Sequence, residues 1–87
     1  MKINGEFILR EVVGEYILVP VGDTALHFSG IIGLNPVSAF IWQALQEGLE
    51  PPAILERLLE EFEVSREEAG QDLESFLNTL RAQKLRI

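Results

Sequence analysis

Short apolar, β-prone runs separated by polar residues and glycines occupy the first third of the chain. One apolar, β-prone run covers residues 7–13 and a second covers residues 16–19, with Gly14 and Glu15 between them. Two such runs around a short break are typical of a tight β-hairpin. Pro20 closes the second run, and because proline cannot donate a main-chain hydrogen bond, it belongs at a strand end or edge.

A third extended region covers residues 25–34, after a Gly-Asp-Thr turn signal. Gly30 and Gly33 interrupt this region, which predicts a bend or a bulge. The pattern fits either one strand or two short pieces, 25–28 and 31–34. In both cases the front of the chain is predicted to form three strands.

The rest of the chain predicts three helices, because apolar residues recur there at helical spacing. The first covers about residues 36–47 and begins at an Asn-Pro pair, which suits an N-cap followed by the first helical position. The second covers about residues 52–62, after two prolines. The third covers about residues 66–83 and follows a capping box in which Ser65 and Glu68 cap each other's main-chain N–H groups.

The order of these elements predicts an α+β fold, with a three-stranded antiparallel sheet within about residues 7–34 followed by three helices. A short sheet with one apolar face needs a cover, and the amphipathic helices supply it. Short loops between the helices resemble a helix-turn-helix arrangement. A chain of 87 residues is the size of one domain, so we assign residues 1–87 to a single unit.

The charge of the chain restricts the classes of partner. It carries a formal net charge of −7, with 14 acidic residues against 7 basic ones. Nucleic acids are polyanions that proteins bind through Lys and Arg, so this balance argues against DNA or RNA as a partner. An anionic membrane surface is disfavoured for the same reason, and no apolar run is long enough to span a bilayer. The acidity either keeps the domain soluble or attracts a basic partner.

Cysteine usage and the N-terminus indicate the compartment. The sequence has no cysteine, which excludes disulfides, thiolate metal sites and cysteine nucleophiles. The N-terminal segment carries Glu6 and lacks the long apolar core of a signal peptide. Because a chain without cysteine fits a reducing compartment, we expect a cytoplasmic location.

Groups that carry catalysis or bind metals are scarce in this sequence. His27 is the only histidine, and without an acid or nucleophile at a defined spacing we expect it on a strand face or edge. The carboxylates are scattered over the water-facing sides of the predicted helices, and no glycine-rich phosphate loop occurs. We therefore expect no enzyme activity, no metal site and no cofactor.

Trp42 and Asp72 each have a structural and a binding interpretation. Trp42 is the only tryptophan, and beside the apolar pair Phe40 and Ile41 it is expected to pack in the core, with its indole N–H at the boundary. Asp72 flanks the apolar stripe of the last helix, one turn before Phe76. Taken alone, this position is typical of a solvated helix acid.

Main-chain groups are the remaining resource for binding. A sheet of three strands has edges with unpaired N–H and C=O groups. An extended peptide can add itself there as another strand, with alternate side chains entering pockets. A helix beside that edge would form the second wall of a groove, and this mode of binding needs neither catalytic residues nor positive charge.

Several segments, taken in order, resemble the PqqD-like family, which is named after a pyrroloquinoline quinone biosynthesis protein. The segments that carry the resemblance are residues 16–20, 30–35, 39–45, 62–64 and 72–77. Members are also called RiPP recognition elements, where RiPP denotes a ribosomally made, post-translationally modified peptide. The resemblance extends over nearly the whole chain.

The resemblance implies a winged helix-turn-helix-like domain that binds the leader segment of a precursor peptide. In the family the leader adds a strand beside the third strand and packs against the third helix. The module then delivers it to a modifying enzyme, such as a radical S-adenosylmethionine enzyme, a peptidase or a cyclase. The peptide-binding residues implied here are Gly30, Ile31, Ile32, Gly33 and Leu34 on the strand, and Asp72, Leu73, Ser75, Phe76 and Thr79 on the helix.

Two of these residues and one loop carry further expectations. By the same resemblance, Asp72 would meet a basic group on the leader, whereas Phe76 belongs either to the core or to the groove. Residues 21–29 form a longer stretch than the hairpin turn of the quinone-pathway members. This difference favours the broader group of peptide-modification proteins.

Two alternatives come from other function classes. A winged-helix DNA-binding protein has a similar order of elements, but the acidic start of the last helix and the net charge of −7 argue against it. A structural or oligomerising subunit would pair its exposed sheet edge with a second copy of itself.

Overall fold

The computed structural model describes residues 6–27 and 30–82, and within them the chain forms two strands, a short helix, a third strand and three longer helices. We number these elements β1 (Phe7–Val12), β2 (Glu15–Pro20), α1 (Asp23–His27), β3 (Ile32–Leu34), α2 (Pro36–Gln46), α3 (Pro51–Glu61) and α4 (Arg66–Ala82). The α+β order predicted from the sequence is confirmed, with one added helix between β2 and β3. Residue 83, the expected end of the last helix, lies outside the described residues.

β1 and β2 form an antiparallel hairpin, and β3 pairs with the other side of β2, so the strand order is β1-β2-β3. The hairpin loop consists of Val13 and Gly14, whose φ angles are 49° and 79°. Positive φ at both central residues is the mark of a type I′ turn, whose twist suits a two-residue hairpin. The predicted break at Gly14 and Glu15 is wrong by one residue, because Glu15 already pairs with Val12.

The five-residue helix α1 occupies the start of the region that the sequence predicts to be extended. The strand piece predicted over residues 25–28 is wrong as far as it is described, and Phe28 lies outside the described residues. The segment has no apolar face to offer a sheet, since its large apolar residue Leu26 is exposed, and Asp23 in the first turn complements the helix dipole. His27 is accordingly an exposed helix residue and does not lie on a strand.

The core lies between one face of the sheet and the three longer helices. Leu18 and Ile32 enter it from the sheet, and Trp42 enters it from α2. Trp42 is 2% exposed, and its ring meets that of Phe7 edge-on, with 5.6 Å between the ring centroids. The expected core position of Trp42 is confirmed. None of the helices in the described part of the chain has the length and apolar character needed to span a bilayer.

Local hydrogen bonds explain where the helices begin. Asn35 caps α2, since its Oδ1 accepts a hydrogen bond from the Ser38 N–H at 2.8 Å, and the Ser38 Oγ accepts one from the Asn35 N–H at 3.2 Å. Pro36 takes the first helical position, as predicted. At the start of α4 the N–H of Glu68 donates to the Ser65 Oγ at 3.1 Å, which is one half of the predicted capping box.

The face of the sheet that points away from the helices carries aliphatic side chains. Successive side chains of a strand point to opposite faces, so the neighbours of core residues point outward. Ile8 lies opposite Val19 in the β1–β2 register, and both Ile8 and Val12 are exposed. Ile31, next to the buried Ile32, is 59% exposed. The helices therefore cover only one of the two faces, and we call the other one the outer face.

Candidate functional site

The third strand forms an edge of the sheet. β3 confirms the extended piece predicted over residues 31–34 except for Ile31, which precedes the strand, and within the described part of the chain β3 pairs with β2 alone. In this register Tyr16 lies opposite Leu34, and Leu18 lies opposite Ile32. Unpaired main-chain groups are therefore expected on the side of β3 that faces away from β2.

Hydrogen bonds at the start of the sheet fix the direction of the main-chain groups in β2. In an antiparallel pair, opposite residues alternate between hydrogen-bonded and non-hydrogen-bonded pairs. The Val21 N–H donates to the Glu6 carbonyl at 3.1 Å, so this pair is hydrogen-bonded. By alternation along the β1–β2 register, the odd-numbered residues of β2 turn their main-chain groups toward β1. Tyr16 and Leu18 therefore turn theirs toward β3.

The same alternation identifies the open main-chain groups of β3. Because Leu34 and Ile32 lie opposite Tyr16 and Leu18, their N–H and C=O groups bond to β2. Gly33, which stands between them, turns its N–H and C=O away from the sheet. Among the described residues, no main-chain hydrogen bond from another element reaches this side of β3. The edge is open at Gly33.

A groove of about 190 Å³ lies beside this edge, between β3, the first turn of α2 and the middle of α4. Small-molecule sites typically measure about 300–1,000 Å³, so the groove suits side chains rather than a whole cofactor. It is lined by Gly33, Leu34, Asn35, Val37, Ser38, Asp72, Ser75, Phe76 and Thr79.

The lining combines apolar and polar side chains. Phe76 is 5% exposed and belongs to the core cluster, so its ring serves both the core and the groove. Asp72 and Ser75 are exposed on α4, and Thr79 donates its hydroxyl to the Ser75 carbonyl at 3.1 Å. Arg57 forms an ion pair with Glu47, and Arg66 forms one with Glu56, and neither pair includes Asp72.

The structure brings most of the implied helix residues and two of the implied strand residues to one groove. The residues from the sequence-based set that line it are Gly33, Leu34, Asp72, Ser75, Phe76 and Thr79. Leu73 and Ile32 instead lie buried in the core, and Gly30 and Ile31 are exposed beside the groove without lining it.

Three lining residues come from an element that the sequence set omits. Asn35, Val37 and Ser38 belong to the cap and first turn of α2, which follows β3 directly. The sequence does signal Asn35, since an N-cap one residue after a binding strand has to lie at the end of that strand, whereas Val37 and Ser38 depend on how α2 packs beside β3.

Comparisons with known proteins match both the sequence and the fold. A family model described as Coenzyme PQQ synthesis protein D (PqqD) matches residues 15–85. The chain is similar to the solved structure of TbiB1 in complex with the TbiA(beta) leader peptide, with 27% identity over 97% of this chain and 92% of that chain, and a TM-score of 0.73. It shares its fold with lasso peptide synthetase B1 complexed with the leader peptide, with 19% identity over 100% and 99% of the two chains and a TM-score of 0.73. No curated protein sequence matches the chain.

Proposed function

Because this chain belongs to the PqqD family, we propose that it binds the leader segment of a ribosomally made precursor peptide by β-strand addition. It then presents the peptide to a separate modifying enzyme and carries out no chemistry itself. The observation that carries the proposal is the open edge at Gly33 beside the groove formed with α4. Support also comes from TbiB1, which is 27% identical and is seen in complex with a leader peptide.

Strand addition on β3 would direct alternate side chains of the guest peptide into the groove. Side chains at neighbouring positions across two paired strands point to the same face of a sheet. Guest residues beside Ile32 and Leu34 would therefore point toward the helices, where Val37 and Phe76 offer apolar surface. Main-chain bonds would supply affinity and the groove would supply specificity.

The contacts that we propose follow from this arrangement. Gly33 and Ile31 would offer main-chain groups. The groove walls would be Leu34, Asp72, Ser75, Phe76 and Thr79. Ile32 and Leu73 support the groove from the core, Ile32 would lie beside a guest side chain on the same face of the sheet, and Gly30 ends the edge.

Charge favours a basic guest over a nucleic acid. Asp72 lies in the groove wall, and the chain as a whole carries a net charge of −7. A Lys or Arg side chain could lay its aliphatic stem on Phe76 and bring its charged end to Asp72. Glu67 and Glu68 stand in the first turn of α4, which repels a phosphate backbone and counts against the DNA-binding alternative.

A non-catalytic role fits the chemistry of the described residues. No group of three or more His, Cys, Asp or Glu side chains among them could hold a metal ion. His27 lies on α1 and does not line the groove. The modifying enzyme would be a radical S-adenosylmethionine enzyme, a peptidase or a cyclase. A cytoplasmic location is part of this proposal, because the chain has no cysteine.

Titration calorimetry tests the proposed groove. The probes are the TbiA(beta) leader peptide and peptides selected from a display library of random linear sequences. A charge placed on the apolar groove wall is costly to bury, so we expect Leu34→Glu to weaken binding by about tenfold or more. Ile8→Glu, on the outer face of the opposite edge strand, is the matched control and should leave the affinity unchanged. Equal affinity in both variants, or no binder at all, would contradict the proposal.

A further inference from the structure

We infer that a guest peptide pairs with this chain through the main-chain groups of only two residues, Ile31 and Gly33, and that the capping box of α2 ends the pairing at Asn35. The inference rests on the proposed function and adds its register and length. It thereby defines the substrate as a short extended segment in which two side chains, separated by one residue, enter the groove.

The outward direction of Ile31 and Gly33 follows from the register. Ile32 and Leu34 turn their N–H and C=O groups toward β2, so the residues between and before them turn theirs outward. Gly33 has no side chain, so its exposure is that of its main chain, and Ile31 as a residue is 59% exposed.

Asn35 would be the next residue with outward main-chain groups, but both of its groups are already bonded. Its N–H donates to the Ser38 Oγ at 3.2 Å, and its carbonyl accepts a hydrogen bond from the Ala39 N–H at 2.9 Å. Pro36 follows and has no N–H to offer. The same capping box that starts α2 therefore closes the edge after Gly33.

The other end of the edge is closed by backbone geometry. Gly30 has a φ of 96°, which no extended strand residue adopts, so the edge cannot continue in front of Ile31. If the β2–β3 register continued, Gly30 would lie opposite Pro20, which cannot donate a hydrogen bond to it. The edge that is open to a guest strand therefore begins at Ile31 and ends at Gly33.

This geometry determines which side chains of the guest peptide point to the groove and which point to the outer face. The guest residue opposite Gly33 points its side chain to the outer face, where a Cβ on Gly33 itself would meet no atom within 4 Å. Its two neighbours point to the groove side, together with Ile32 and Leu34. In a parallel or an antiparallel guest alike, two guest N–H groups, two residues apart, bond to the carbonyls of Ile31 and Gly33.

Amide hydrogen exchange followed by NMR tests which residues form the edge. In the free protein we expect slow exchange at Ile32 and Leu34 and fast exchange at Ile31 and Gly33. Saturation with a selected library peptide should slow exchange at Ile31 and Gly33 by about tenfold or more and leave Asn35 unchanged. Slower exchange at Asn35 as well as at Gly33 overturns the inference while the proposed function stands. Binding without slower exchange at Gly33, or with slower exchange at Leu9 on the opposite edge, contradicts the proposed function as well.

An N-methyl scan of the same peptide tests the length of the pairing. Methylation of an amide removes one hydrogen-bond donor, so we expect about a tenfold loss of affinity at two positions, two residues apart. Other positions should stay within about threefold of the parent peptide. A third sensitive amide in the same alternating series would show that the pairing extends beyond Ile31 and Gly33, which overturns the inference. A library that yields no binder contradicts the proposed function and this inference with it.

Discussion

At the scale of single residues, Asp72 makes it possible to distinguish the effect of a carboxylate in the groove from the effect of the net negative charge of the chain. It lines the groove, lies on the exposed side of α4 and takes no part in the ion pairs of the described residues. Glu67 lies in the first turn of the same helix, before Asp72, and does not line the groove. The two acids thus offer a matched pair for testing where the charge matters.

We expect Asp72→Asn to weaken the binding of a peptide with a basic residue by about threefold to fivefold at low salt, because exposed ion pairs contribute at most about 1 kcal/mol. The loss should shrink as ionic strength rises, since salt screens exposed charges. Fluorescence anisotropy with a labelled library peptide measures both effects. Glu67→Gln is the control, and an equal loss in both variants would assign the effect to net charge alone.

At the scale of elements, the hairpin of β1 and β2 carries an unfavourable loop residue. Val13 has a φ of 49°, and its side chain is 97% exposed, so nothing in the fold compensates for a β-branched residue in this conformation. Such strain costs about 1–3 kcal/mol. Val13 does not line the groove, so we expect its strain to affect the stability of the fold rather than the groove.

Replacing Val13 with Asn creates the Asn-Gly pair that a type I′ turn favours. We expect Val13→Asn to raise the midpoint of thermal unfolding by about 4–8 °C, which corresponds to about 1 kcal/mol in a domain of this size. Circular dichroism during heating measures the shift. Val12→Asn, in the strand beside the loop, is the control and should not stabilise the protein. A lower midpoint for Val13→Asn would mean that the valine makes a contact that outweighs the strain.

The sequence predicted those elements whose patterns are long enough to carry a period. The apolar residues of α2, α3 and α4 repeat over eleven residues or more, and each helix begins at a recognisable cap or proline. The helix α1 has five residues and too few turns to show a period, so the sequence pattern predicts a strand there instead. The hairpin was predictable, but its loop position depends on the pairing of Val12 with Glu15.

The sequence predicts the site in outline. It does not predict the contribution of α2 to the groove or the direction in which Gly33 turns its main-chain groups. The family resemblance placed β3 beside the last helix, and Asp72, Ser75, Phe76 and Thr79 do line the groove. The contribution of Ser38 depends on how α2 packs beside β3, which no local pattern reveals. The outward direction of Gly33 depends on the parity of the β2–β3 register, and a shift by one residue would reverse it.

At the scale of the whole molecule, the open edge raises the question of self-association. β3 is three residues long, and natural proteins use short edge strands to prevent pairing with other chains. The net charge of −7 adds repulsion between copies. Both features favour a protein that pairs with a foreign peptide rather than with itself.

We therefore expect a monomer at micromolar concentration in sedimentation equilibrium, and a one-to-one complex after addition of a selected library peptide. The measurement also examines the oligomerising alternative. A dimer in the absence of peptide, dissociated by Leu34→Glu but retained in Ile8→Glu, would show that β3 pairs with its own copy. That outcome would contradict the proposed role of the edge.

The position of Gly33 has a consequence for the aliphatic outer face of the sheet. That residue places no side chain on the outer face, and Ile31 stands next to it with more than half of its surface in water. A bound peptide would set one of its own side chains into this empty spot. An enzyme that docks against the outer face would then contact a different surface on the peptide-bound protein than on the free protein. It could distinguish the two states without contacting the groove.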